Sequence, residues 1–472
     1  MMTAALFGTG SAVGAFRVAL TGTFVPVNFL TSDALNTAFI PFYKRSFAES
    51  VNKAQTFLWA LLCLFAILSI LIGLGLWLTA TSWIGVLAPG LDTETGNIAV
   101  MMLKVMSIGV PFYLMSAVLM FVAMANDDFV PMSLRPSIQN IGLIIGVSSA
   151  FILHNPTLFA WGFTACYVMF SGWILFRVTK SGFLAMPDRF DRVKIHEVLQ
   201  AFWVTLRPLL LLPFILQGNI VVERMVASLV GLVAVSALDY ARFVTETLLL
   251  LISVPVAFAG LTHWSGLSLK LMRDHLRRVT LLLLLLAIPA SAFLMRNAHL
   301  IVQVIYARGA FNEQSVRVTG DILFGTSFGL WAQIIGYVAI KALSAQIRNH
   351  IVLWIMGCAL LANIATNLLM YHFLGALTIG LGNSVYGLVL LAGALSALSL
   401  WHDIWKKSKM IFLGGIGYLL FTSCIPLPEN VWAKLSLSSL IAICYWAVWI
   451  AALSDLRNLS TRFLKRDGEK YT

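Results

Sequence analysis

The chain has 472 residues, of which 60% are hydrophobic and only 11% charged, with a net charge of +12 and a mean hydropathy of +0.89. This composition marks a polytopic membrane protein and leaves no room for a soluble domain of ordinary size. The positive charge does not indicate nucleic-acid binding, because the Lys and Arg residues are dispersed over loops and never build one groove-sized patch.

A bilayer-spanning helix needs about 20 mostly apolar residues. Windows of that kind recur along nearly the whole sequence, broken by Pro, Gly and charge clusters. They predict an all-α polytopic integral membrane protein with thirteen spans, over 4–30, 56–87, 98–125, 136–154, 157–177, 203–222, 226–260, 279–305, 318–345, 351–373, 376–400, 409–426 and 433–454. Basic residues fall in alternate connections: Lys44, Arg45 and Lys53; Arg135; Arg177 to Lys194; Lys270 to Arg278; Arg348; Lys406 to Lys409; and Arg457 to Lys470. The positive-inside rule puts these connections and the C-terminus in the cytoplasm. Counting back through thirteen spans then places Met1 outside. Because the opening stretch lacks the n-region, h-region and cleavage site of a signal peptide, a helix is expected to be missing before it.

Weak internal repetition divides the chain. Ala38-Phe-Ile-Pro41 has a counterpart in Ala257-Phe-Ala-Gly260, and Met124-Ala-Asn-Asp-Asp128 in Ser344-Ala-Gln-Ile-Arg-Asn349. The expected organisation is an N-terminal lobe over 1–180, a basic cytoplasmic linker over 181–200, a pseudo-equivalent C-terminal lobe over 201–402, and a terminal helix pair with a basic tail over 403–472. Such halves commonly meet around a substrate path in transporters.

The ionisable and polar residues inside the spans are the candidate site. Arg17, Thr21 and Asn28 recur on one face of the first span, with Pro26 between them; Arg17 reads either as a phosphate or sugar contact or as a side chain snorkelling to the interface. Asp33 reads equally as a helix N-cap or a coupling-ion group. Gln217, Asn219, Glu223 and Arg224 close the sixth span, where Glu223 and Arg224 are expected at the outer surface as a solvated loop pair, with gating as the other reading. Asp239, Arg242 and Glu246, spaced by three and four, share one helix face. A charge at the bilayer centre costs about 2.5–3.5 kcal/mol even on the lenient insertion scale, so this stripe is expected to line a cavity between the halves. There Arg242 would offer a guanidinium fork suited to a diphosphate; pairing that merely locks helices is the alternative. Lys341 reads as a cavity-mouth contact or as a positive-inside anchor, and Asn363 with Asn367 as hydrogen-bonding partners of a neighbouring helix.

Catalytic chemistry finds no support. The five cysteines lie singly in apolar runs and the eight histidines are scattered. No metal-binding spacing and no nucleotide-binding loop occurs. No metal or cofactor is expected, and transport is expected to draw on the membrane potential or a monovalent ion.

Ala5-Leu-Phe-Gly-Thr-Gly10, Ala15-Phe16, Asn36-Thr-Ala-Phe-Ile-Pro41, Tyr306-Ala-Arg-Gly-Ala-Phe311, Val338-Ala-Ile-Lys-Ala-Leu343 and Ile379-Gly-Leu-Gly-Asn-Ser384 resemble, in order and separation, landmarks of the MurJ/MviN family. That family is the lipid II flippase branch of the multidrug/oligosaccharidyl-lipid/polysaccharide exporter superfamily. The resemblance implies two six-helix lobes with a terminal helix pair, and a bacterial inner-membrane location. It implies transfer of an undecaprenyl-pyrophosphate-linked saccharide from inner to outer leaflet by alternating access, with membrane lipids and envelope-synthesis enzymes as partners. It also implies that the missing segment is the family's first helix, and that the terminal pair 409–454 holds a polyprenyl tail. Where the family carries an acidic residue before Ala-Phe this chain has Gly14, and where it carries an Arg pair and then Ala-Glu-Gly this chain reads Val27-Asn28 and Thr31-Ser32-Asp33. Those departures leave three alternatives beside lipid II transfer: a flippase for a lipid-linked exopolysaccharide repeat unit, a cation-coupled drug exporter, and a non-transporting scaffold.

Overall fold

The computed structural model describes residues 1–31, 33–187, 192–207, 210–264, 269–346 and 348–452, which form helices joined by short turns, with no strand among them. The helices are α1 (Met2–Phe7), α2 (Ser11–Thr31), α3 (Asp33–Glu49), α4 (Val51–Leu78), α5 (Ala80–Leu87), α6 (Thr93–Ala125), α7 (Val130–Ile152), α8 (Leu158–Lys180), α9 (Arg192–Leu206), α10 (Leu211–Val230) and α11 (Leu232–Leu248). A π-helical turn (Leu249–Ser253) leads into α12 (Val254–Trp264), followed by α13 (Leu269–Tyr306), α14 (Glu313–Ala345), α15 (Asn349–Leu374), α16 (Leu377–Ala397), α17 (Trp401–Ser423) and α18 (Val431–Ala452).

Eleven helices among the described residues are long and apolar enough to cross a membrane. The two further spans expected from the sequence correspond to α7 and α17. The first of these carries Arg135, Gln139 and Asn140, and the second is apolar only from Ser408 onward. Both are therefore helices of spanning length with diluted hydropathy.

Three sequence-based boundaries need correction. Lys44 and Arg45 lie within α3 and Lys53 within α4, so the first basic connection is the junction of two helices at Ser50. Arg135 lies inside α7, in its second turn, and not in a loop. The break after the sixth span is not at 223–225 but at Gly231, whose φ of +144° suits only a residue without a Cβ. Glu223 and Arg224 are thus helical.

The chain forms two compact units, residues 2–236 and residues 237 onward. In the first, α6 is the most enclosed helix, packed by α2, α4 and α8. Aromatic contacts fill the end that holds α3 and α9, with Phe57 5.7 Å from Phe39, 4.7 Å from Phe42 and 5.1 Å from Phe202 between ring centroids. In the second, α14 takes the enclosed position, packed by α13 and α16, while α17 and α18 lie on α13. Lipid offers apolar side chains no gain over one another, so small residues and polar contacts do the fastening. Between α14 and α16 the backbones nearly touch: a Cβ at Gly380 would lie 2.2 Å from the Ile322 carbonyl, and one at Gly329 2.4 Å from Ser384 Cα. Ser384 Oγ accepts from the Gly329 N–H at 2.7 Å and donates to the Gly325 carbonyl.

The repetition hinted at by the sequence is geometric. Both α6 and α14 have 33 residues, and the two ends of α14 lie 220 positions after those of α6. Asp92 caps α6 by accepting from the Thr95 N–H, and Asn312 caps α14 by accepting from the Ser315 N–H. The preceding helices also break alike, at Thr79 between α4 and α5 and at the non-helical Asn297 inside α13.

Candidate functional site

In the second unit, the stripe of α11 borders a polar pocket. Arg242, Thr245 and Glu246 form one wall; Thr326 and Gln333 of α14 and Asn383 of α16 form the other. The α14–α16 contact fixes the second wall, because Gln333 Nε2 donates to the Asn383 carbonyl at 2.8 Å. Arg242 Nε stands 3.8 Å from Glu246 Oε1, too long for a hydrogen bond and short enough for an ion pair. The Arg242 side chain is 25% exposed and that of Glu246 59%, so neither end of the pair is sealed inside the protein. The pocket measures about 90 Å3, room for a phosphate-sized group but not for a disaccharide. The π turn begins three residues after Glu246, and Leu249, its first residue, lines the same pocket. Such wide turns recur at functional sites because they re-aim a helix face. Asp239 lies one turn before Arg242 and is half-buried.

In the first unit, the structure assembles a cluster that sequence reasoning placed in a solvated loop. Glu223 is 0% exposed and Arg224 4%. Asn219 Nδ2 donates to Glu223 Oε1 at 2.9 Å, while Arg224 Nε donates to Thr21 Oγ1 at 3.1 Å and Nη1 to the Val235 carbonyl at 2.5 Å. The Thr21 hydroxyl in turn donates to the Arg17 carbonyl, which ties Arg17's turn of α2 to α10. Burying charges demands such partners. The available signal was the i, i+4 spacing of Asn219 and Glu223 together with the glycine at 231. Gln217 lies two turns before Arg224, its Oε1 shielded from solvent without a hydrogen-bond partner among the described residues.

Asn28 goes elsewhere. Its Oδ1 accepts from Tyr113 Oη at 3.3 Å, and the Arg135 guanidinium stands 4.6 Å from the Tyr113 ring centroid. Lys341 is half-buried, with its ammonium 5.8 Å from the Phe258 ring and 5.5 Å from the Tyr337 ring; it does not border the Arg242 pocket. Asn363 and Asn367 are fully buried on α15 and bond to each other, Asn367 Nδ2 to Asn363 Oδ1 at 2.5 Å, against Gly382 of α16. The side chain of Asp33 lies outside the described residues.

The fold and these residues can be set beside known proteins. A chain described as "Probable lipid II flippase MurJ" from Rhizobium meliloti (strain 1021) is 24% identical, over 98% of this chain and 86% of its own length. Its namesake from Rhizobium tropici is 25% identical, over 87% of this chain and 77% of its own length. A solved structure of lipid II flippase MurJ in an inward closed conformation superposes with a TM-score of 0.83 at 20% identity, covering 95% of this chain and 94% of its own. An inward-facing multidrug resistance MATE family transporter of the MOP superfamily gives 0.65 at 13% identity, over 87% of this chain and 96% of its own. These two likenesses establish the fold. The family model for lipid II flippase MurJ matches residues 3–445, and the chain belongs to that family.

Proposed function

We propose that this multi-pass membrane protein is a flippase that carries a polyprenyl-diphosphate-linked cell-envelope precursor, lipid II by kinship, from the inner to the outer leaflet of the bacterial cytoplasmic membrane by alternating access. The observation that carries the reading, beside family membership, is the Arg242 pocket. A guanidinium lining a phosphate-sized polar recess beside a π turn is chemically matched to a diphosphate. Asp239 and Glu246 are assigned to this pocket as further contacts, Arg17, Asn28 and Lys341 to substrate contacts elsewhere within their own units, and Asp33, Gln217 and Glu223 to coupling or gating. The protein acts as a transporter and not as an enzyme. Energy comes from the membrane potential, worth about 2.3 kcal/mol per charge per 100 mV, or from a monovalent ion. The C-terminus lies in the cytoplasm.

A second reading, a flippase for a lipid-linked exopolysaccharide repeat unit, is favoured by one observation. At Gly14, where the family resemblance calls for a carboxylate, a Cβ would lie 2.7 Å from Leu232 Cδ1, so an apolar side chain occupies that place. Mass spectrometry of lipid-linked intermediates in cells depleted of the protein separates the readings. Accumulation of a disaccharide-peptide lipid supports the first and accumulation of a peptide-free oligosaccharide lipid the second; accumulation of neither sinks both and leaves drug export or a scaffold.

A further inference from the structure

The segment Tyr306-Ala-Arg-Gly-Ala-Phe311, a family landmark, takes no part in the site described above. It forms the turn between α13 and α14, and its geometry is tightly determined. Gly309 has φ +60°, a left-handed conformation that favours glycine. The rings of Tyr240, Tyr306 and Phe311 lie 5.1, 5.5 and 5.6 Å apart, and Tyr306 Oη donates to the Tyr240 carbonyl at 3.2 Å. Phe311 is buried, so the turn is pinned beneath while Arg308 stands on its open side.

Beside this turn lies a polar recess of about 530 Å3, within the roughly 300–1,000 Å3 of small-ligand sites. Arg308 and Arg317 both line it, with His299, Gln303 and Asn312, and Glu313 is its acidic residue. Arg308 Nη2 donates to the Ile305 carbonyl at 2.6 Å, which folds the guanidinium back over the last turn of α13. The recess is braced across the two helices. His299 of α13 bonds Asp321 of α14 at 2.9 Å, and its ring lies on Gly320, where a Cβ would come within 2.3 Å of Cδ2. Asp321 is thereby engaged by the histidine and leaves the arginines to other anions.

The protein contains its own control for whether these charges merely close the turn. The pseudo-equivalent turn before α6 uses the same cap, yet the residue four before that cap is Ala88 where the second repeat has Arg308, and the residue five after it is Asn97 where the second has Arg317. The fold closes this turn without arginine, so the two guanidinium groups answer to something other than folding. Both α13 and α14 are long and apolar enough to span a membrane, so their connection lies at a membrane surface, on the outer face under the orientation given by the basic loops. The anions concentrated at such a surface are lipid phosphates.

We propose that the recess at the α13–α14 turn is a binding site for a phosphate-bearing lipid headgroup, held by Arg308 and Arg317. Two guanidinium groups lining one recess offer charge-assisted, bidentate contacts to phosphate oxygens that a single interfacial cation does not. The site is separate from the Arg242 pocket and stands whether or not the proposed substrate is correct.

The test uses the purified full-length protein in a nonionic detergent, with farnesyl diphosphate, phosphatidylglycerol and uncharged diacylglycerol as probes, read by native mass spectrometry. In R308Q/R317Q, affinity for at least one anionic probe falls by about tenfold or more while that for diacylglycerol is unchanged. A loss confined to farnesyl diphosphate assigns the headgroup to a carried polyprenyl diphosphate; a loss that includes phosphatidylglycerol assigns it to anionic phospholipid as well. R308K/R317K keeps part of the affinity, because charge is retained and the fork is lost. R242Q leaves binding here intact while reporting separately on the transport site. Unchanged anionic-probe affinity in R308Q/R317Q overturns the proposal, as does an equal loss for diacylglycerol.

Discussion

Arg224 Nη1 donates to the main-chain carbonyl of Val235 at 2.5 Å, so one buried guanidinium bridges the last turns of α10 and the first turn of α11 across Gly231. The same side chain holds Thr21 of α2 through Nε, which makes it the common fastener of three helices. Removing the guanidinium takes this partner from the buried Thr21 hydroxyl and the Val235 carbonyl, at a cost of about 1–3 kcal/mol for each group left unsatisfied. R224A is expected to lower the thermal unfolding temperature of the detergent-purified protein sharply. E223Q is expected to be milder, because a glutamine oxygen still accepts from Asn219. An R224A protein that unfolds with the wild type would show that the cluster fastens nothing.

Glu223-Arg224 looks like a loop because adjacent charges usually mark one, and only tertiary contact with Thr21 and Val235 reveals that a helix runs through them. Hydropathy, which needs no partners, carried the all-α architecture, and of the thirteen expected spans only those at α7 and α17 are not apolar enough along their length to be counted among the eleven. The Asp239, Arg242 and Glu246 stripe was visible because helical spacing alone puts residues on a face. Its opposite wall was not, since Gln333 and Asn383 come together only through the close approach of α14 and α16.

That close approach yields a second prediction. At Gly380 a Cβ would lie 2.2 Å from the Ile322 carbonyl and 2.6 Å from the Thr326 nitrogen, both backbone atoms of α14 that cannot swing aside. G380A therefore forces the two helices apart and costs at least about 2 kcal/mol, the order of an overpacked core. G357A, on α15 with nothing within 4 Å of its Cβ, should be neutral or slightly stabilising through helix propensity. Monodispersity on size exclusion and thermal unfolding compare the pair; equal behaviour of the two variants would contradict the backbone contact.

A third prediction concerns pH. Asp128, in the turn between α6 and α7, accepts from Arg177 Nε at 2.7 Å and Nη2 at 3.1 Å, and the hydrogen bonds from this guanidinium hold its carboxyl below the ordinary carboxylate value. A depressed folded-state pKa contributes stability that is present above the unfolded value of about 3.9 and is lost as pH falls through the folded one. The contribution is about 1 kcal/mol, because the Arg177 side chain is partly exposed. Wild type and D128N should therefore differ in unfolding temperature at pH 6 and converge below about pH 4. A difference that persists or grows on acidification would refute the assignment.

The fourth prediction separates transport from structure at the Arg242 pocket. The pair with Glu246 is 3.8 Å long and its carboxylate is 59% exposed, so loss of this pair alone should cost less than about 1 kcal/mol. The unfolding temperature of R242A, measured beside its function, tells a folding loss from a transport loss. If Arg242 grips a diphosphate, the same variant should fail to sustain growth of a strain depleted of the native protein, with lipid-linked precursor accumulating. R242K should recover only part of the function, since an ammonium keeps the charge and loses the two-pronged geometry. E246Q should be far less severe, because the carboxylate orients the guanidinium and would repel the substrate's own charge. A purely structural pair predicts the opposite ordering: growth that tracks unfolding temperature, and R242A and E246Q alike in both. Full complementation by a stably folded R242A would remove the diphosphate contact from the proposed function.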